Sequence, residues 1–416
     1  MQEYLARLQD PNPSVRREAA RALGWMGTAA ATPEVFQALA ERLLQDEAGW
    51  VREAAAWALG QMGKTTATPE VLRALSQCLR KDGDKSVRSA AAQALGWMGE
   101  AAATPEVIEA LAQALRDRNF GVRWEAAWAL GVMGEAAATP EVIQALTEWL
   151  REDEAGEVRE AAARALGWMG EAAAKPEVLQ TLAERIREDK DRDVRQTAAW
   201  ALGEMGAAAA TPEVIQALAQ CLREDEDRGV RQEVAEALGK MGEAAATPEV
   251  LQALVERLLR DKAWVVRRTA AVALRQLLPA HPEALRAFLC VLPVPMTPQE
   301  TQALEDVLRA YPGAVPAVRA LLSDPDPRVR AGAVWALGWM GEAAATPEVV
   351  RAILARRLDE DPNVRTAALE VLRRLPVSSE TVSAVLRDIQ GDEPEAAEAT
   401  AWALERLGRP DDGPAC

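Results

Sequence analysis

Histidine occurs once in the 416 residues, tyrosine twice and phenylalanine three times. A single imidazole, His281, cannot supply the clustered ligands of a transition-metal site. Ser-His-Asp or Cys-His catalysis would also depend on it alone, beside Pro282 and without a nucleophile elbow. The four cysteines (Cys78, Cys221, Cys290 and Cys416) show no C-x-x-C spacing. That removes a zinc framework or disulfide scaffold and fits a reduced, cytoplasmic setting. No stretch nears the roughly 18 consecutive apolar residues of a membrane span, and residues 1 to 20 carry no signal-peptide core. Basic charge is also short: Lys and Arg number 48 against 64 Asp and Glu, for a net charge of −16. Such a chain opposes a surface that gathers phosphates by counterion release, so nucleic acid is a poor partner.

What is abundant is helix-forming. Apolar residues make up 49% of the chain but aromatics only 4%, so Ala, Leu, Val, Ile and Met must fill the core. A repeat is plain in the dipeptide Val-Arg. It begins at Val15, Val51, Val87, Val122, Val158, Val194, Val230 and Val266, at steps of 35 or 36 residues, and resumes at Val329 and Val364. A fixed period of that length predicts stacked supersecondary units.

Each unit reads as two helices. Thr104-Pro105-Glu106 opens a first helix with a capping side chain, a preset first backbone angle and an acid that suits the helix dipole; Val107, Ile108, Leu111 and Leu115 follow on one face. The second helix is typified by Val15, Ala19, Ala22, Leu23 and Met26. It ends near a Gly (Gly27, Gly63, Gly99) through which the chain can leave in a left-handed conformation.

Ten times an Asp stands six residues before an Arg: Asp10 and Arg16, Asp46 and Arg52, Asp82 and Arg88, Asp117 and Arg123, Asp153 and Arg159, Asp189 and Arg195, Asp225 and Arg231, Asp261 and Arg267, Asp324 and Arg330, Asp359 and Arg365. With the Ala positions and the Pro that opens each pair, this pattern resembles the HEAT repeat, most nearly the bacterial phycobilisome-lyase-like subtype. The resemblance implies an all-α, right-handed α-solenoid of about twelve helix pairs. It also implies a structural ladder in which these Asp and Arg bond along the turns and across neighbouring repeats. Such pairs fix orientation more than they add net stability.

Boundaries follow from where the pattern fails: regular repeats over 1–274, one degenerate, shorter pair over 275–323, regular repeats again over 324–375, and a capping repeat and tail over 376–416. Cys78 and Cys221 occupy the same position of two repeats and read as small apolar fillers. The string Gly63-Lys64-Thr65 is not a phosphate loop, because Ala58 stands where the first Gly is needed and a helix precedes it.

Tryptophan, at thirteen, is over-used. Counted from the Val of Val-Arg, Trp124 lies at offset 2, Trp57, Trp128, Trp200 and Trp335 at offset 6, and Trp25, Trp97, Trp168 and Trp339 at offset 10. These positions, with Trp402 in the last unit, project from the side of the second helix opposite its core. In HEAT solenoids second helices line the concave wall. The resemblance therefore implies a Trp-lined groove, with Arg21 and Arg164 in it, that clasps a protein or peptide. The competing reading is seam packing: each Trp lies over the junction to the adjacent repeat, with Arg21 and Arg164 stacked on Trp25 and Trp168. Trp50, Trp149 and Trp264 receive no role.

No catalytic residue, metal or cofactor is expected. The function expected is a non-catalytic scaffold or sensor, similar to the C-terminal repeat arrays of NACHT-type signalling ATPases. The abrupt helical start at Met1 fits the loss of an upstream domain. The alternatives from other classes are a HEAT-like DNA glycosylase, which the charge opposes, and a bilin lyase or chaperone, which rests on fold analogy.

Overall fold

The computed structural model describes residues 1–277, 282–290, 292, 298–309, 312–388 and 401–402. Every regular element among them is an α- or 3-10 helix, and the α-helices stack in successive pairs as an all-α solenoid. The chain divides into two compact units, Met1–Ala237 and Leu238–Cys416. His281 and Cys416 lie outside the described residues, as does most of the expected cap.

Each first helix begins as its sequence dictates. Thr32, Thr68, Thr104, Thr139, Thr211, Thr247 and Thr346 accept, through Oγ1, the backbone N–H of the Val three residues on, and Pro takes the first helical position. Lys175 holds the same place before Pro176–Glu188 and has no oxygen to offer. Val and Leu then bury against the second helix; in Pro140–Glu152, for example, Val142, Ile143, Leu146 and Leu150 are buried. Second helices end at a glycine with φ between 54° and 63° (Gly27, Gly63, Gly99, Gly134, Gly170, Gly206, Gly242 and Gly341), a region a Cβ disfavours. A short 3-10 turn follows and leads into the next Thr-Pro.

The Asp and Arg residues staple successive repeats. In the first unit Arg16, Arg52, Arg88, Arg159 and Arg195 donate Nε and Nη2 to the carboxylates of Asp46, Asp82, Asp117, Asp189 and Asp225, at 2.6–3.1 Å. Each carboxylate therefore belongs to the repeat after its Arg. Within a repeat, the Arg reaches not the carboxylate but the backbone carbonyl of the Asp six residues earlier, donating Nη1 at 2.8–3.0 Å, and in Arg16, Arg52 and Arg159 the next carbonyl as well. The same carboxylates accept the backbone N–H two residues further on, which shapes the turn. Burial would push Asp46, Asp82, Asp117 and Asp189 up, yet the guanidinium and these backbone donors hold them below the usual carboxylate range. A second cation, Arg42 or Arg185, stands 3.8 and 3.7 Å from Asp46 and Asp189. Cys78 and Cys221 occupy the equivalent places before Asp82 and Asp225. Both are buried, and burial pushes their thiols up to about 12.

The fourth rung is looser. Arg123 reaches Asp153 with Nη2 alone, at 3.2 Å, and its guanidinium sits over the Trp149 ring, 5.8 Å from the centroid.

In the second unit Arg330 grips Asp359 bidentately, at 2.9 and 2.7 Å. Among the described residues the irregular segment carries three α-helices of its own, Pro282–Cys290, Pro298–Leu308 and Val315–Ala320, rather than one pair. Although it lacks Val-Arg, Arg286 supplies the missing rung by bonding both oxygens of Asp324, at 2.6 and 3.0 Å.

Two outcomes follow. Replacing Lys175 by Thr supplies the absent cap and raises stability by about 1 kcal/mol, read as an upward shift of the urea midpoint at unchanged slope. Arg159→Ala strands the buried Asp189 carboxylate and costs about 3–5 kcal/mol, whereas Arg123→Ala costs clearly less. Because the Asp189 pKa is depressed, its contribution is present above the unfolded value and lost as pH falls through the folded one. The gap between the two variants in urea melts therefore narrows in acid, and equal losses at neutral pH would contradict this ranking of the rungs.

Candidate functional site on the second-helix face

The second helices of the first unit carry two glycines near their C-termini for different reasons. The later one adopts positive φ; in five of these helices the earlier one, after Leu, is a seat for a tryptophan of the next repeat. A Cβ on Gly24 would lie 2.5 Å from the Trp57 ring, one on Gly60 2.6 Å from Trp97, and one on Gly131 2.5 Å from Trp168. Gly167 is covered by Trp200 at 2.5 Å, and Gly96 by Trp128 in the same way. Indoles at offset 6 and offset 10 thus reach one kind of seat from alternating positions, and the bare backbone lets neighbouring helices approach closely.

Exposure along the stripe is graded. Trp25 is 73% exposed and Trp168 39%, while Trp57, Trp97, Trp124, Trp128 and Trp200 are half-buried. Trp25 meets Trp57 edge-on at 5.3 Å between centroids, and Trp168 meets Trp200 edge-on at 6.2 Å. In the second unit Trp335 is half-buried and stacks on Trp339, with centroids 6.1 Å apart. Trp339 itself is only 3% exposed, and Trp402 is buried with its indole N–H donating to the Leu372 carbonyl. These two do not stand on an open wall.

The arginines also depart from the expected stacking. Arg21 lies over Trp57 of the next repeat, 5.6 Å from the centroid, rather than on Trp25 of its own helix. Its reach is set by the seam, since Trp57 is held beneath it on Gly24. Arg164 turns to Glu160 on its own helix and forms a 2.6 Å ion pair. Residues without an expected role prove to be platforms: Arg17 lies over Trp50, 5.7 Å from the centroid, and Arg123 over Trp149. An open hollow of about 600 Å³ is lined by Ser14, Arg17, Glu18, Arg21 and Trp50.

One carboxyl on this face is unusual. Burial pushes Glu125 up to about 7; its Oε1 accepts from Gln93 of the preceding repeat at 3.1 Å, and its Oε2 is buried without a partner. A carboxyl poised near neutrality is a candidate acid or base only beside a nucleophile or a second titrating group. Its hydrogen-bonding neighbour here is an amide. Among the described residues no group of three or more His, Cys, Asp or Glu is placed to hold a metal ion, and no helix is long and apolar enough to cross a membrane.

Gly167→Ala forces a Cβ against both the Trp200 ring and the Ala201 backbone, at 2.5 and 2.9 Å, and is expected to cost about 1–3 kcal/mol. Combined with Trp200→Ala it should cost less than the sum of the single changes in a double-mutant cycle by urea unfolding. Additivity would mean that the ring does not depend on its glycine.

The family model described as HEAT repeats matches residues 1–96, 72–167, 108–203, 143–224, 179–275 and 301–357. A second, described as a HEAT repeat associated with sister chromatid cohesion, matches residues 345–372. No curated protein sequence matches. Among solved structures, the crystal structure of an engineered protein is similar over 90% of this chain and 98% of its own, with 22% identity and a TM-score of 0.50. Importin beta is similar over 96% of this chain and 60% of its own, with 17% identity and a TM-score of 0.47.

Proposed function

The chain belongs to the HEAT-repeat family, and from that premise we propose that it is a non-catalytic scaffold holding a protein or peptide on the second-helix face of its first unit. The observation that carries this reading is the row of indoles Trp25, Trp57, Trp97, Trp128, Trp168 and Trp200. They come from six successive second helices, and each leaves part of its ring in water. Seating on glycine fixes all of these rings but Trp25 without hiding them, so they offer rigid apolar area at little entropic cost, the property that makes Trp dominate binding hot spots. The second helices approach one another more closely than the first helices do, which supports a concave second-helix side. Trp124 and the Arg164–Glu160 pair lie on the same face and would border the partner.

The Asp, Val-Arg and Ala pattern supports the finer placement in the phycobilisome-lyase-like subtype. With it goes the reading of this array as the recognition region of a NACHT-type signalling ATPase. Buried free thiols at Cys78 and Cys221 favour a cytoplasmic site of action.

The test is capture of a partner by the full chain, followed by cross-linking and mass spectrometry. Cross-links should fall on the second helices, and a Trp25→Ala/Trp168→Ala variant with unchanged helicity and melting should retain about tenfold less partner or below. Cross-links confined to first helices or turns, or full retention by the variant, would move the site elsewhere.

A further inference from the structure

The first repeat carries two arginines without a carboxylate partner on a face where the fifth repeat pairs its own. Arg17 and Arg21 stand one helical turn apart on Pro13–Met26, a like-charged i, i+4 pair that repels itself. Neither guanidinium is within ion-pair or hydrogen-bonding distance of a carboxylate among the described residues. Each instead lies over an indole of the second repeat, Arg17 on Trp50 and Arg21 on Trp57. The contrast with Arg164 is direct. That residue, at the same position as Arg21 but four repeats later, has Glu160 one turn before it and is paired at 2.6 Å. Glu18, beside Arg17 in the chain, is drawn to Arg7 instead, at 3.3 Å.

A guanidinium over an indole keeps its N–H edge free while its plane is held, which pre-orients it for a bidentate carboxylate. Two such groups open onto the hollow of about 600 Å³ between them and Trp50, which Glu18 also lines while its charge is taken up by Arg7. One turn beyond Arg21, Trp25 presents the most exposed ring of the row, 5.3 Å from Trp57.

We propose that the Arg17, Arg21, Trp25, Trp50 and Trp57 cluster is an anchor for an acidic peptide segment, two carboxylates engaging the paired guanidiniums and an adjacent aromatic or apolar side chain covering Trp25. Charge complementarity selects this occupant. A dication in a chain of net charge −16 attracts a short anionic segment, while the surrounding acid repels an extended polyanion such as nucleic acid. The inference rests on the scaffold reading above and names the partner chemistry of one end of that face.

The experiment uses the full chain and a capped, fluorescently labelled hexapeptide of glutamates with one central phenylalanine, followed by anisotropy at two salt concentrations. Wild type should bind with an affinity that falls as salt rises. An Arg17→Gln/Arg21→Gln variant and a Trp25→Ala variant, both with unchanged melting, should each weaken binding roughly tenfold or more. Trp264→Ala, an exposed indole away from this row, should leave it unchanged. No binding by wild type, equal binding by the Arg variant, or equally effective competition by inorganic phosphate or a single-stranded oligonucleotide overturns the proposal. A captured partner that is lost with Trp168 but kept without Arg17 and Arg21 would sink this anchor and leave the scaffold reading standing.

Discussion

The bidentate bond from the Arg of one repeat to the Asp of the next is the constraint on which the rest of the first unit depends. A helix pair of this size cannot bury its apolar stripe alone, so its stability lies in the interfaces with its neighbours. Hydrophobic contact between Ala-rich faces is nearly indifferent to sliding and rotation. A planar guanidinium fixed on a carboxylate that also accepts the turn N–H permits one register. The same Arg bonds the carbonyl of its own turn, so each residue ties two turns together. Neighbours modulate the rung: Arg185 adds charge beside Asp189, and Trp149 draws Arg123 partly away from Asp153.

Once the turns are registered, the other edge of the seam is decided by size. In five second helices of the first unit the Leu-Gly near the end leaves a notch of bare backbone that a Trp from the following repeat fills; Gly239 and Gly338 meet Gln276 and Val371 instead. The Trp ring contributes buried area beneath and remains partly wet above, so one side chain serves the seam and the face together. The choice between a binding wall and seam packing was therefore not a choice between exclusive states. The rings are seam elements first, and what they still expose is what a partner can use. Trp339 and Trp402 show the limit of the stripe, since both are buried.

Charge on this face is likewise decided by neighbours. Arg21 and Arg164 occupy equivalent positions and read alike as residues, yet one is neutralised by a Glu a turn earlier and the other faces an Arg there. Glu125, sunk among helices with a single amide partner, is held near neutrality for the same kind of reason.

The sequence by itself determined the repeat, its two-helix content, the Thr-Pro openings, the exit glycines and the family. All of these depend on local backbone preferences and a period that recurs ten times in the Val-Arg register. It also placed ten of the thirteen tryptophans on one side of the second helix, because that follows from 3.6 residues per turn. Only the tertiary structure decided which repeat each Arg reaches, that Arg286 stands in for a rung without the Val-Arg signature, and that the Leu-Gly glycine is the seat of the next repeat's Trp. These are contacts between residues 29 to 38 positions apart, fixed by how one pair lies on the next, and no pattern within a single helix records that placement. The nearest trace in the sequence was the Trp alternating between offsets 6 and 10 from one repeat to the next, opposite a constant Leu-Gly. Its meaning depends on the stacking distance between helices, which is a property of the assembled seam.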